Sequence, residues 1–248
     1  MSDFALSLLF ILLLAHVVGD FVLQSDAWAK EKAQRHLRAR ALYYHVGLHT
    51  LMTLGVLVAM KFDAGTTLIG AGIVGGSHWA IDTLKSYTHR YPIRYFLIDQ
   101  ALHVLVLTGV WAWLVRLDVP ELATLFHDWA APRILLTALT YLVALKPMSI
   151  LIAMIMTRWS RDVDTAGTLA DAGARIGMLE RFLILTFVLS DQLAAIGFLL
   201  TAKSVLRFGD LRHDRDRKLT EYVLLGTMLS VSMTLMLGLM ARFLLRHL

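Results

Sequence analysis

The sequence predicts an all-α, polytopic integral membrane protein of about six to seven transmembrane helices, with an N-terminal four-helix bundle carrying a polar site that suits a metal. Three observations predict it. Of 248 residues, 57% are hydrophobic and 17% charged, where a soluble domain carries about a quarter charged. Mean hydropathy is +0.63. The apolar residues gather at 4–23, 43–60, 68–84, 95–114, 134–156, 179–202 and 222–245, most of these stretches near the roughly 20 residues a helix needs to cross hydrocarbon. The composition excludes a soluble globular enzyme, a disordered chain and a disulfide scaffold.

The stretch 4–23 lacks a basic leader and a small-residue cleavage site and carries His16 and Asp20, so it reads as a retained span and not a signal peptide. Residues 25–40 read as a charged helix capped by Ser25 or Asp26, solvated or lying on the membrane surface. In the third stretch, Gly72 and Gly76, with Gly70 and Gly75 nearby, predict close backbone packing. No P-loop lysine or dinucleotide pattern accompanies them. Trp28, Trp79, Trp111, Trp113 and Trp159 fall near span ends, where indole rings sit at headgroups. In 134–156, Lys146-Pro147 interrupts the helix pattern. The sixth stretch holds Asp191-Gln192 in its interior. The chain divides into a metal-site bundle (1–116), a connecting region (117–178) and a C-terminal two-helix region (179–248).

Lysine and arginine set the orientation. Lys30, Lys32, Arg35, Arg38 and Arg40 fill the first loop, and Lys85, Arg90 and Arg94 the third, against Lys61 alone in the second. Loops one and three are therefore expected in the cytoplasm and the N-terminus outside. The basic run of Arg212, Arg215, Arg217 and Lys218 falls outside on seven simple crossings. A re-entrant hairpin at Pro147 brings it inside, and seven crossings is the alternative. The net charge of +5 fits basic cytoplasmic loops, and no nucleic-acid motif accompanies it. The absence of cysteine removes thiolate chemistry.

The informative pattern is four polar pairs. His16 and Asp20, His45 and His49, His78 and Asp82, and Asp99 and His103 are each spaced i, i+4, on one helix face. They fall late in the first and third spans and early in the second and fourth. Spans that alternate in direction bring all eight to one membrane level, which the loop charges make cytoplasmic. Five imidazoles and three carboxylates suit a binuclear divalent-metal centre, with zinc favoured over manganese or iron and calcium disfavoured. Carboxylate iron bundles usually carry Glu and Glu-x-x-His. The plain alternative is interhelical hydrogen bonding without metal, but ionisable groups within a membrane are costly and usually functional. Some of the eight then serve as orienting groups rather than ligands.

The runs His16-Val-Val-Gly-Asp20-Phe-Val-Leu-Gln24, Tyr44-His45-Val-Gly-Leu-His49, Ser77-His78-Trp-Ala-Ile-Asp82-Thr-Leu-Lys85 and Asp99-Gln-Ala-Leu-His103 resemble a family of uncharacterised bacterial inner-membrane proteins. That family is similar in its polar pattern to proteins named membrane-bound metal-dependent hydrolases. A second block resembles it at Gly173, Gly177, Glu180-Arg181, Ala202-Lys203-Ser204, Arg207, Glu221-Tyr222 and Gly226-Thr227. The resemblance implies a metal-bound protein of the bacterial inner membrane and points to hydrolysis, without a substrate.

Lys85 and Gln24 follow Asp82 and Asp20 on nearly the same faces, as substrate contacts or as groups reaching the headgroups. Glu180 and Glu221 are expected to begin helices, and Lys203 and Arg207 to end one, as the helix dipole favours. Lys203 and Arg207 are alternatively a cationic rim for phosphate or anionic lipid. His36, His89, His127, His213 and His247 fall in loops or the tail and are discounted as ligands. The leading expectation is a metal-dependent hydrolase at the cytoplasmic leaflet, in which metal-activated water attacks an amphiphilic, phospholipid-like ester, phosphoester or amide. A bridging carboxylate, Asp20 or Asp82, doubles as base. The alternatives are a divalent-metal transporter or sensor, an iron oxidase or hydroxylase, and a metal-free polar network.

Overall fold

A computed structural model describes residues 3–88, 92–116, 131–160, 172–207 and 214–248, with the side chains of 206–207 and 214–217 left undescribed. The described residues are helical, without strands. They form two units, Met1–Leu139 and Thr140–Leu248. The expected connecting region is therefore divided between the two.

The first unit opens with α1 (Asp3–Val18), which widens into a π-helical turn, Gly19–Leu23. A short charged helix follows, α2 (Asp26–Arg35), and a 3-10 turn at His36–Arg38. Ser25 caps α2 by accepting from the Trp28 N–H. Three long helices follow: α3 (Arg40–Ala59), α4 (Ala64–Ser86) and α5 (Pro92–Val115). Asp63 caps α4 by accepting from the Thr66 N–H at 3.0 Å. Short connections make α3 and α4 antiparallel neighbours; α4 packs along α5, and α1 lies against both α3 and α5. Leu8, Leu12, Leu57, Met60, Val74, Leu107, Val110 and Leu114 form a buried core at one end of these four helices. The Trp111 indole donates to the Ala5 carbonyl at 2.6 Å and ties α5 to α1 beside it.

Glycine governs how closely α4 approaches at two of the four expected positions, Gly70 and Gly75. A Cβ on Gly75 would meet the Thr50 hydroxyl at 2.2 Å, and one on Gly70 would meet Leu57 at 2.9 Å. Gly72 and Gly76 face open space.

In the remaining chain, α6 (Pro132–Leu145) and α7 (Pro147–Ser160) are joined by Lys146 alone. The Lys146 N–H donates to Leu142, and Ile150 donates to Lys146. The chain thus runs on as one interrupted rod of 29 residues, and no reversal of the expected hairpin kind occurs at Pro147. The expected sixth span is two helices, α8 (Ala172–Leu189) and α9 (Leu193–Arg207). Asp191 breaks it with φ 61°, a backbone state that non-glycine residues rarely adopt, and its carboxylate pairs with Arg242 of α10 (Asp214–His247). Glu180 accordingly lies in the middle of α8 and not at a helix start. Arg181 is buried, donating to the Ala144 carbonyl at 2.8 Å and to Ser149 and Ser230.

Among the described residues, five helical segments are long and apolar enough to cross a membrane: Asp3–Leu23, Arg40–Ala59, Pro92–Val115, Pro132–Ser160 and Lys218–His247. The α4 helix has the length but not the apolarity, since Ser77, His78, Asp82 and Lys85 share its C-terminal half.

Candidate metal centre

All eight residues of the four pairs are brought together inside the first unit, and none is more than 8% exposed. The convergence follows from the alternating helix directions: the C-terminal turns of α1 and α4 meet the N-terminal turns of α3 and α5. The π turn matters locally. Its wider spacing places the bare Cα of Gly19 against α3, where a Cβ would lie 2.5 Å from His49 Cε1. Extra-residue turns of this kind are frequent at functional sites.

Asp20 is the hub. Its Oδ1 lies 3.0 Å from His49 Nε2, 3.2 Å from His45 Nε2 and 3.5 Å from His78 Nε2. Its Oδ2 lies 3.8 Å from His16 Nε2 and accepts from Gln100 Nε2 at 3.0 Å. The imidazoles are close throughout, with His45 Nε2 and His78 Nε2 3.0 Å apart and the His49 and His78 rings stacked at 3.8 Å. Yet Asp20 Oδ1 and His49 Nε2 are buried without a hydrogen-bond partner, because the angles between them are poor.

Those separations match a metal's coordination shell. With bonds of about 2.0–2.2 Å, neighbouring ligand atoms lie about 3.3 Å apart on a tetrahedral ion and about 3.0 Å apart on an octahedral one. Three sets of ligand atoms each fall within 4.8 Å of one another: His16, Asp20, His49 and His78; His45, His78 and Asp82; and Asp20, Asp99 and His103. His78 and Asp20 each belong to two sets. An imidazole Nε2 offers one lone pair, so His78 could serve only one ion, whereas the two oxygens of Asp20 would let it take part in both of its sets.

His103 is held in one tautomer. Its Nδ1 lies 2.9 Å from the Asp99 backbone carbonyl, which can only accept, so Nδ1 carries the hydrogen. The Nε2 lone pair is then left buried and unpartnered, the arrangement that fixes the tautomer of metal-binding histidines.

Two lysines neutralise the outer carboxylates. Lys32 of α2 donates to Asp82 Oδ2 at 2.5 Å and to Gln24 Oε1. Lys85 donates to Asp99 Oδ2 at 2.6 Å, and Gln100 also reaches that oxygen at 3.1 Å. The α2 helix, expected to be solvated or on the membrane surface, therefore supplies a nearly buried ammonium to the cluster. On the inner side, a cavity with room for about one water molecule lies between His16, His49, His78 and His103 and the apolar side chains Leu12, Val74 and Leu107.

Gln100 and Lys32 are the contacts that sequence reasoning missed. Of the discounted histidines, His36 bonds Ser86 at 3.1 Å and stacks on Tyr87, and His247 bonds the Phe243 carbonyl. Lys203 lies in the second unit and pairs with Glu180 at 2.6 Å and with Thr227 at 2.8 Å. The Arg207 side chain, His89, His127, His213, Arg90, Arg212 and the side chains of Arg215 and Arg217 lie outside the described residues.

The fold and site define an all-α bundle of mostly apolar helices closed around a buried cluster of histidine and aspartate. The chain belongs to the family described as "Protein of unknown function (DUF3307)", whose model matches residues 8–131, a stretch that holds all eight cluster residues together with Lys32, Lys85 and Gln100. No curated protein and no solved structure matches the chain.

Proposed function

We propose that this chain is a multi-pass protein of the bacterial inner membrane whose N-terminal bundle binds divalent metal, zinc before manganese or iron, as a metal-dependent hydrolase. The observation that carries the reading is the set of three Nε2 atoms within 3.5 Å of Asp20 Oδ1. Without an ion, these buried polar atoms cost about 1–3 kcal/mol for each that goes unsatisfied. A bound cation satisfies them together. The spacing of the three sets and the two oxygens of Asp20 favour two adjacent ions. The basic residues of α2 and Lys85 lie at the same end of the bundle, which supports a cytoplasmic site and an outside N-terminus.

Divalent metal in this setting supplies an activated water and stabilises developing negative charge. The chain's own residues do the rest. Asp20 and Asp82 hold positions from which a proton can be taken from that water. His103, fixed through Asp99, and Gln100, on Asp20 and Asp99, keep the ligands in register. The apolar core beneath excludes water from the far side. That same core disfavours a path for ions. Beyond the cluster, the buried side chains of the first unit's described residues are apolar (Leu8, Leu12, Leu57 and Leu114) or uncharged hydroxyls (Ser7, Thr53 and Thr67), with no buried ionisable group among them.

The test is turnover. Purified protein loaded with zinc or manganese is offered amphiphilic ester, phosphoester and amide substrates. Metal-dependent hydrolysis that falls by at least about a hundredfold in Asp20→Asn supports the reading. Metal uptake into vesicles without any hydrolysis overturns it in favour of a transporter. One observation favours a metal-free network instead: a single proton between His45 Nε2 and His78 Nε2, 3.0 Å apart, gives a good hydrogen bond.

A further inference from the structure

The two lysines occupy the places that a cation's charge would fill. Lys32 and Lys85 bind two of the three cluster carboxylates, Asp82 and Asp99. They arrive from different elements, α2 and α4, and differ in exposure: the Lys32 side chain is 12% exposed and that of Lys85 41%. Both belong to a site whose carboxylates, Asp20, Asp82 and Asp99, outnumber its ammoniums by one. One divalent cation among neutral imidazoles turns that deficit into a single positive charge, and two cations into three. A buried excess of that size calls for an anion, because unpaired charge in a low-dielectric site is costly.

We infer that the ligand of this site carries a phosphoryl group, held by Lys32 and Lys85 beside the metal. The inference rests on the metal-centre reading above and names its substrate class. Lysine is an established phosphate binder, acting as a compact charge with three donors. Lys32 holds Asp82 Oδ2, the oxygen 3.6 Å from His45 Nε2, so a metal bound there would free that ammonium. Lys85 holds Asp99 Oδ2 while Asp99 Oδ1 is buried without a partner, so Lys85 can stay beside the ion with donors to spare. A phosphate monoester carries about 1.5–2 negative charges on three oxygens and can engage both lysines and metal, whereas a carboxylate brings one charge. Lys32 sits on the short helix α2, none of whose residues is fully buried, so its ammonium stands at the edge of the cluster rather than within the bundle's core. The phosphoryl group can belong to a soluble molecule or to a lipid headgroup.

The experiment is isothermal titration calorimetry on the full chain in dodecyl maltoside, zinc-loaded and freed of excess metal. The probes are inorganic phosphate and dioctanoyl phosphatidate, with zinc content measured on every sample. Binding of either probe, weakened at least tenfold in Lys32→Gln and Lys85→Gln but kept in Lys32→Arg, is expected. The variants should retain zinc, since neither lysine belongs to the candidate ligand sets; retained zinc also shows that the site has folded. Response to inorganic phosphate identifies a soluble phosphate, and response to phosphatidate alone identifies a headgroup. Zinc held with no binding of either probe, or binding unchanged in both glutamine variants, overturns the inference and leaves the metal centre standing. Wild-type protein that takes up no zinc overturns both.

Discussion

The bare Cα of Gly19 faces the His49 ring so closely that a Cβ there would sit 2.5 Å from Cε1 and 2.6 Å from Nε2. Three features meet at this point: the π turn that follows α1, the middle of α3, and the nitrogen nearest Asp20 Oδ1. Gly19→Ala improves helix propensity by about 1 kcal/mol but must displace the imidazole or part the helices. The expected outcome is a helical protein, by circular dichroism, whose metal affinity falls at least about tenfold.

Lys32→Gln removes the ammonium that compensates Asp82, whose side chain is 4% exposed. Breaking one side of a buried pair costs about 3 kcal/mol, so the metal-free variant should unfold at a clearly lower temperature than wild type. Saturating zinc restores the missing positive charge and should close most of that gap. A thermal-melt comparison with and without metal reads both effects. A purely structural lysine would leave the gap unchanged by metal.

Gln100 bridges Asp20 and Asp99 through one amide and approaches His16 Nε2 at 3.3 Å with its oxygen. Gln100→Leu keeps the volume and removes both donor and acceptor. Orienting groups of this kind are worth about 10–100-fold in metal affinity, and a competitive chelator titration should find a loss in that range. Gln100→Glu, which adds a carboxylate to the cluster, should instead retain or raise affinity.

Asp63 lies between α3 and α4, outside the bundle's spans. Hydrogen bonds from the Thr66 hydroxyl and N–H hold its carboxyl below the usual carboxylate value. A depressed folded value means that the cap's contribution is present above the unfolded carboxylate range near pH 4 and is lost as pH falls through the lower, folded value. Asp63→Asn can still accept from Thr66 but does not titrate. Wild type should therefore lose stability relative to Asp63→Asn on acidification below pH 4, read from melting temperatures across pH 2.5–6.

The cluster was legible in the sequence because two regularities carry it. The i, i+4 spacing puts each pair on one face, and alternate helix directions bring early and late turns to one level. What was not legible depends on contacts between elements. Gln100 is one residue from Asp99, about 100° around the helix, so no spacing rule includes it; only the approach of α1 to α5 brings it to Asp20. Lys32 read as one charge in a basic loop because nothing local says that α2 folds against Asp82. The break at Asp191 was hidden by apolar residues on both sides, since hydropathy does not register a positive φ stabilised by Arg242. At Pro147, proline's missing donor suggested a reversal, but the hydrogen bonds from Lys146 to Leu142 and from Ile150 to Lys146 let the helix continue.

The central claim is that the His/Asp cluster is a metal centre, and metal content tests it most directly. Full-length protein purified without chelators, and variants His45→Ala and Asp82→Ala that remain folded, are analysed by inductively coupled plasma mass spectrometry. The account predicts one to two equivalents of zinc, manganese or iron in the wild type, falling in both variants. Wild-type protein free of bound metal, even after incubation with each ion at neutral pH, would contradict it and leave the cluster a hydrogen-bonded network.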